Sequence, residues 1–201
     1  MRSLLTFLLL LNLSLLMAQE SEKPQSARDF QNHLNEEFRD PEESPLTEED
    51  RKDFKGLDFF EVDSSYIVKA EFVRTPAESP FKMPTTTDRT PVYVKYGEVY
   101  FSIKGEEYKL NVYQNQSFLT DPEYFDYLFL PFTDNTNGET TYSGGRYLDL
   151  RIPEGDFVIL DFNKAYNPYC AYSGRYSCPI PPKENDLDTA IEAGVKAFDK
   201  H

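Results

Sequence analysis

Histidine is nearly missing from this chain. His33 and His201 are the two copies, and both lie toward the chain ends. The body of the chain therefore offers no histidine as a general base. No serine stands in a Gly-x-Ser-x-Gly elbow either, and the two gaps together set aside a serine hydrolase. Cysteine is as scarce, with Cys170 and Cys178 the whole supply. A structural zinc needs about four ligands, so two thiols without a nearby histidine make a poor metal set. Neither a metal nor a cofactor is expected. Ser143-Gly144-Gly145-Arg146 is glycine-rich but lacks the spacing of a phosphate or dinucleotide loop, and reads as a turn or bulge.

Long apolar runs are absent except at the start. Arg2 supplies a short positive region, Leu4 to Met17 is almost unbroken apolar, and Ala18 is a small residue before the polar Gln19-Glu20-Ser21. That order is a cleavable secretory signal over residues 1–18. The run is shorter than the roughly 20 residues of a bilayer span, although an uncleaved anchor is the alternative. No cysteine follows it, so a lipid-anchored lipoprotein is not expected. Residues 19–25 form a polar lead-in, and 26–201 read as a single domain. The expected location is the periplasm or the cell exterior, with no stable membrane span after cleavage.

Basic residues are outnumbered. The 21 Lys and Arg face 35 Asp and Glu, for a formal charge of −14. Such acidity repels phosphate backbones, so nucleic acid is not an expected partner. In an oxidising compartment the cysteine pair reads as a disulfide. Its ring of about nine residues would be worth about 2.5 kcal/mol by chain entropy. Free thiols are the alternative.

What is present is patterned. Ser26-Ala27-Arg28-Asp29 looks like a capping box ahead of Phe30, Leu34 and Phe38 at helical spacing. Thr47-Glu48-Glu49-Asp50 repeats the signal. From about residue 65 the period becomes two: Tyr66 to Val73, then Val92, Val94, Tyr96, Val99, Phe101 and Ile103, then Tyr108, Leu110 and Val112. Tyr127 to Phe132 is nearly all apolar. Arg146 to Ile152 and Phe157 to Asn163 read as a hairpin around Pro153-Glu154-Gly155-Asp156. Leu187, Ile191, Val195 and Phe198 read as one face of a last helix capped by Asn185 or Asp186. No internal repeat or linker interrupts the chain. The expected fold is mainly β (α+β), an antiparallel sheet curled as a barrel or sandwich and flanked by N- and C-terminal helices.

The late motifs carry a resemblance. Leu130-Pro131-Phe132-Thr133-Asp134-Asn135-Thr136-Asn137-Gly138 leads to Thr141-Tyr142-Ser143-Gly144-Gly145-Arg146-Tyr147-Leu148-Asp149. Asp161-Phe162-Asn163-Lys164-Ala165-Tyr166-Asn167-Pro168 and Cys178-Pro179-Ile180-Pro181-Pro182 follow. The series resembles a bacterial and archaeal family designated domain of unknown function 1684, over nearly all of the chain after the leader. The resemblance brings no catalytic residue with it.

Chemistry must then be sought in the residues. On the hairpin reading, Arg146 shares a face with Leu148, Leu150 and Ile152, and Asp161 and Asn163 lie opposite. A buried arginine needs a partner, and Asp161 is the expected one. Arg146, Asp161 and Asn163, closed around by Asp134, Asn135, Tyr142 and Asn167, would make a pocket for a small polar molecule. The same groups could instead form a structural ion pair and amide network that pins the 164–182 segment. Asp134, Asp149 and Asp161 could supply a carboxylate pair for hydrolysis of a glycan. Tyr166, Tyr169, Tyr172 and Tyr176 could stack on sugars or pack an irregular loop. A structural or partner-binding role in the cell envelope is the remaining class.

Overall fold

The computed structural model describes residues 25–198. The leader and most of the lead-in lie outside those residues. The first helix, α1 (Ala27–Arg39), starts where the capping box places it: the Ser26 hydroxyl accepts the Asp29 N–H at 3.1 Å. It buries Ala27, Leu34 and Phe38 and stops short of Pro41. Helix α2 (Glu48–Asp53) is capped in the same way by Thr47.

The sheet has eight strands: β1 (Ile67–Arg74), β2 (Phe81–Lys82), β3 (Val92–Ile103), β4 (Glu106–Asn115), β5 (Tyr127–Asp134), β6 (Arg146–Arg151), β7 (Phe157–Asp161) and β8 (Asp186–Leu187). The main order is β6-β5-β4-β3-β1-β7, with β2 added to β3 and β8 added parallel to β5. The sheet curls into a half-barrel. Lys104 and Gly105, both at positive φ, form the two-residue turn that joins β3 to β4, the geometry that matches strand twist. One core fills the concave side, built on Phe72, Val99, Leu110, Leu128, Phe132 and Leu160 among others. Each such side chain contributes roughly 1.5–3 kcal/mol on burial. Where β4 and β5 share only the Tyr113–Phe129 pair, Asn185 bridges them. Its amide nitrogen donates to the carbonyls of Asn111 at 2.9 Å and Pro131 at 2.6 Å, and its oxygen accepts the Asn111 N–H at 2.8 Å.

Three expectations are corrected. First, β6 and β7 do not form a hairpin: β6 pairs with β5 and β7 with β1, so they are the two edges of the sheet. The 153–156 connection spans the opening of the half-barrel. The faces of β7 are consequently reversed, with Leu160 buried and Phe157 and Ile159 exposed at 53% and 56%. Second, among the described residues no helix forms after Asn185. Leu187, Ile191 and Val195 are buried as expected, but in an extended segment whose backbone is used to bridge other parts of the chain. Asn135 N–H reaches Thr189 O, Val195 N–H reaches Ala165 O and Ala197 N–H reaches Thr140 O, each at 2.9 Å. Those groups are then unavailable to a helix. Third, the partner of Arg146 is Asp134, at 2.7 Å, and not Asp161. Among the described residues no helix is long and apolar enough to cross a membrane.

Candidate functional site

The seven residues proposed above for a ligand are not gathered in one pocket. Arg146 is fully buried; its Nε has no hydrogen-bond partner among the described residues, and its two terminal nitrogens are spent on the protein. They reach Asp134 Oδ2, the Ile191 carbonyl at 2.8 Å and the Ala193 carbonyl. The other Asp134 oxygen accepts from Thr136 N–H at 2.9 Å, Thr136 Oγ at 2.6 Å and Ile191 N–H at 3.1 Å. This cluster ties the C-terminal segment to β5 and β6. Asn163 is likewise a clamp: its side chain exchanges 2.9 Å bonds with the backbone of Asp63 and donates to Asp161. Asn167 donates to the Lys196 carbonyl at 3.0 Å, and the exposed Asn135 donates to Asp188. Tyr142 stands apart, its hydroxyl 3.8 Å from the Cys170 sulfur.

A different cavity forms on the convex face of the sheet. Side chains alternate along a strand, so Tyr147, Asp149 and Arg151 of β6 project away from the core that Arg146 and Leu148 face. On β5 the same outer row is Tyr127 and Phe129, with Phe129 paired to Asp149. This face would be wet in an uncovered sheet. Here α1 and the 164–182 segment lie over it, and they leave a cavity of about 550 Å³, within the usual range for ligand pockets. Phe30, Leu34 and Glu37 of α1 form one wall, and Tyr166, Tyr169 and Tyr176 form another. The rings meet edge to face: Phe129 and Tyr147 at 4.7 Å, Tyr147 and Tyr166 at 5.8 Å, Tyr169 and Tyr176 at 5.1 Å.

Asp149 gives this aromatic cavity its charge. Its Oδ1 accepts hydrogen bonds from Tyr127 Oη at 2.7 Å and Tyr166 Oη at 2.6 Å. No hydrogen bond reaches Oδ2 among the described residues. The side chain is exposed, yet desolvation by the protein around it pushes its carboxyl above the ordinary aspartate range, against the two hydroxyls that favour its charge. Burial, then the Asp149 charge, raise the Tyr127 and Tyr166 phenols well above theirs. Both therefore stay neutral and serve as fixed donors. Tyr169 donates to Glu37, and Tyr147 to the Pro179 carbonyl. The cavity thus has two carboxylates and several tyrosines whose protons are already committed.

Cys178 lines the same cavity. Its sulfur accepts the Cys170 N–H at 3.1 Å, and the two thiols are not bonded to each other. Hydrogen bonds from Cys178 first, with further ones from Tyr142 and Thr86, lower the Cys170 thiol to about 6. Among the described residues no group of three or more His, Cys, Asp and Glu is placed to hold a metal ion.

The alternation that turns Arg146 inward leaves Asp149 and Arg151 on the outer face, whereas the pocket expected around Arg146 lay on the inner one. The available signal was the tyrosine series: Tyr166, Tyr169 and Tyr176 line the cavity, while Tyr172 is buried against Phe38 at 4.7 Å.

The family model described as "Protein of unknown function (DUF1684)" matches residues 52–196. The chain belongs to this family. It is also similar to a structure solved in solution by NMR, that of an uncharacterized protein from the gene locus rrnAC0354 of Haloarcula marismortui. That protein shares 35% sequence identity at a TM-score of 0.68, over 87% of this chain and 94% of that one. No curated protein matches significantly. The DUF1684 match begins within α2, so Phe30, Leu34 and Glu37, which close the cavity from α1, lie ahead of the matched region.

Proposed function

We propose that this DUF1684 member is an exported protein that binds a small polar ligand in the cavity floored by Asp149. One observation carries the reading: a solvent-reached carboxylate is held on one oxygen by two neutral tyrosines inside an aromatic enclosure of about 550 Å³. Orienting a charged group this way, with its second oxygen free, suits recognition of a partner that enters the cavity. A thermal-shift screen of the purified protein against sugars, nucleotides, amino acids, amines and organic acids tests it. Hits are expected to lose their shift when Asp149 is changed to Asn in protein that remains folded. Hits that keep their full shift in that variant would count against the cavity.

A glycan hydrolase is the second reading, and it has a narrower support. Asp149 and Asp161, from the two edge strands, both line a groove of about 570 Å³ along the opening of the half-barrel. Asp161 already accepts from Asn163 N–H at 3.1 Å and from its amide at 2.9 Å, which favours a turn-forming role. Asp134 is withdrawn from this reading by its burial against Arg146.

Export also bears on the thiols. We expect residues 1–18 to be removed and Cys170 and Cys178 to become disulfide-bonded in the oxidising compartment, since one sulfur already touches the backbone of the other residue. Intact-mass spectrometry of protein taken from the cell envelope reads both at once. The expected mass starts at Gln19 and is lower by a pair of hydrogens than after reduction. A mass that retains Leu4 to Met17, or two thiols that alkylate without reductant, would contradict the respective half.

A further inference from the structure

We infer that the ligand of the Asp149 cavity is a small organic ammonium ion, an amine carried on an apolar body; the inference rests on the cavity reading above. Three features of the enclosure select this chemistry. The first is the sign of charge. Asp149 and Glu37 are the carboxylic acids on its walls, and no Lys, Arg or His lines it among the described residues. The guanidiniums around its rim are each held by protein oxygens: Arg89 binds Ser177 Oγ at 3.2 Å and the Ser177 carbonyl at 2.6 Å. Arg151 binds Asp126 at 2.7 Å and the Glu123 carbonyl at 2.6 Å, and Arg175 binds the Ser44 carbonyl at 2.9 Å and Tyr176 Oη at 2.7 Å. A carboxylate or phosphate ligand would meet like charge at Asp149 and Glu37, with no cation on the lining itself.

The second feature is the direction of the hydrogen bonds. The hydroxyls of Tyr127 and Tyr166 donate to Asp149, that of Tyr169 donates to Glu37, and that of Tyr147 donates to Pro179 O. The protons of these four hydroxyls are therefore used within the protein, while the Tyr176 hydroxyl, which accepts from Arg175, is not among them. What the cavity still offers is an acceptor, Asp149 Oδ2, and an ammonium group supplies donors and charge together.

The third feature is the wall itself. Tyr93, Phe129, Tyr147 and Tyr166 surround the carboxylate with π faces and edges. Such faces attract cations, most strongly where water is displaced, and they accommodate the apolar part of an amine. The chain's charge of −14 adds a long-range attraction of the same sign.

Calorimetric titration of the purified protein with benzylamine and with benzyl alcohol, which share a shape and differ in charge at neutral pH, tests the inference. The amine is expected to bind about tenfold or more tightly than the alcohol. Asp149→Asn, which keeps an oxygen for the two tyrosines, is expected to reduce the amine to the level of the alcohol. Far-UV circular dichroism establishes that the variant is folded, and the comparison of the two ligands on the unaltered protein needs no variant. Equal binding of amine and alcohol would overturn the ammonium assignment and leave the cavity reading standing. Binding of neither would overturn both.

Discussion

Arg146→Ala is expected to destabilise the protein by about 3–5 kcal/mol, with the loss read as a lowered midpoint in urea or guanidinium unfolding. The guanidinium has no exposed surface, and its partner Asp134 has none on its side chain. Removing the arginine leaves that carboxylate buried without its countercharge, and leaves the carbonyls of Ile191 and Ala193 without their donor. The cost is the desolvation of groups that remain, more than the loss of one attraction. Asp134→Ala is expected to fall in the same range, because it strands Arg146 and frees the Ile191 and Thr136 N–H groups. Replacing both by apolar residues should not restore stability, unlike an isolated ion pair, since the carbonyls of the C-terminal segment still need donors. Arg151→Ala provides the contrast: its pair with Asp126 is half-exposed, and a change below about 1 kcal/mol is expected. A similarly small change for Arg146→Ala would show that the cluster does not hold the segment.

Gly194→Ala is expected to cost about 2–4 kcal/mol. Gly194 has φ of +79°, and a Cβ there would lie 2.5 Å from the Ala165 carbonyl oxygen, 2.9 Å from Ala165 Cβ and 2.9 Å from the Phe162 carbonyl oxygen. Two of these three obstacles are backbone, so they cannot rotate away. The same residue accepts the Phe60 N–H at 2.9 Å, and the next donates to Ala165 O at 2.9 Å. Gly194 therefore sits where the C-terminal segment threads between two parts of the chain. Its displacement would move Ala193 and Ile191, whose carbonyls hold Arg146, so the two substitutions should combine non-additively. Unfolding midpoints of the single and double variants measure this. Full additivity would indicate that the arginine cluster and the Gly194 contact are independent.

The strands were legible because their period is local: Val99, Phe101 and Ile103 alternate with polar residues whichever strands they pair with. Pairing was not local. Pro153-Glu154-Gly155-Asp156 says that the chain turns, but β7 finds its partner in β1, far back in the sequence, and with it the opposite choice of inward face. Leu187, Ile191 and Val195 recur every four residues, a spacing that a helix shares with any segment that buries alternate positions. The backbone bridges to Asp58, Phe60, Thr140 and Ala165 decided the matter, and nothing in the local sequence announces them. Arg146 was correctly turned inward by alternation, yet its partner came from the neighbouring strand β5. Asp149 looked like a solvent-facing residue because the cover over that face, α1 and the 164–182 segment, is contributed from both ends of the chain.

The central claim is that Asp149 and its tyrosines form the binding site. An NMR titration of isotope-labelled protein with benzylamine, or with the best ligand from the thermal-shift screen, tests it most directly, because it locates the response residue by residue. The account predicts that the largest shift changes fall on Tyr127, Phe129, Tyr147, Asp149 and Tyr166, with the Arg146–Asp134 cluster unmoved. Changes centred instead on Arg146, Asp134 and Ile191 would contradict it.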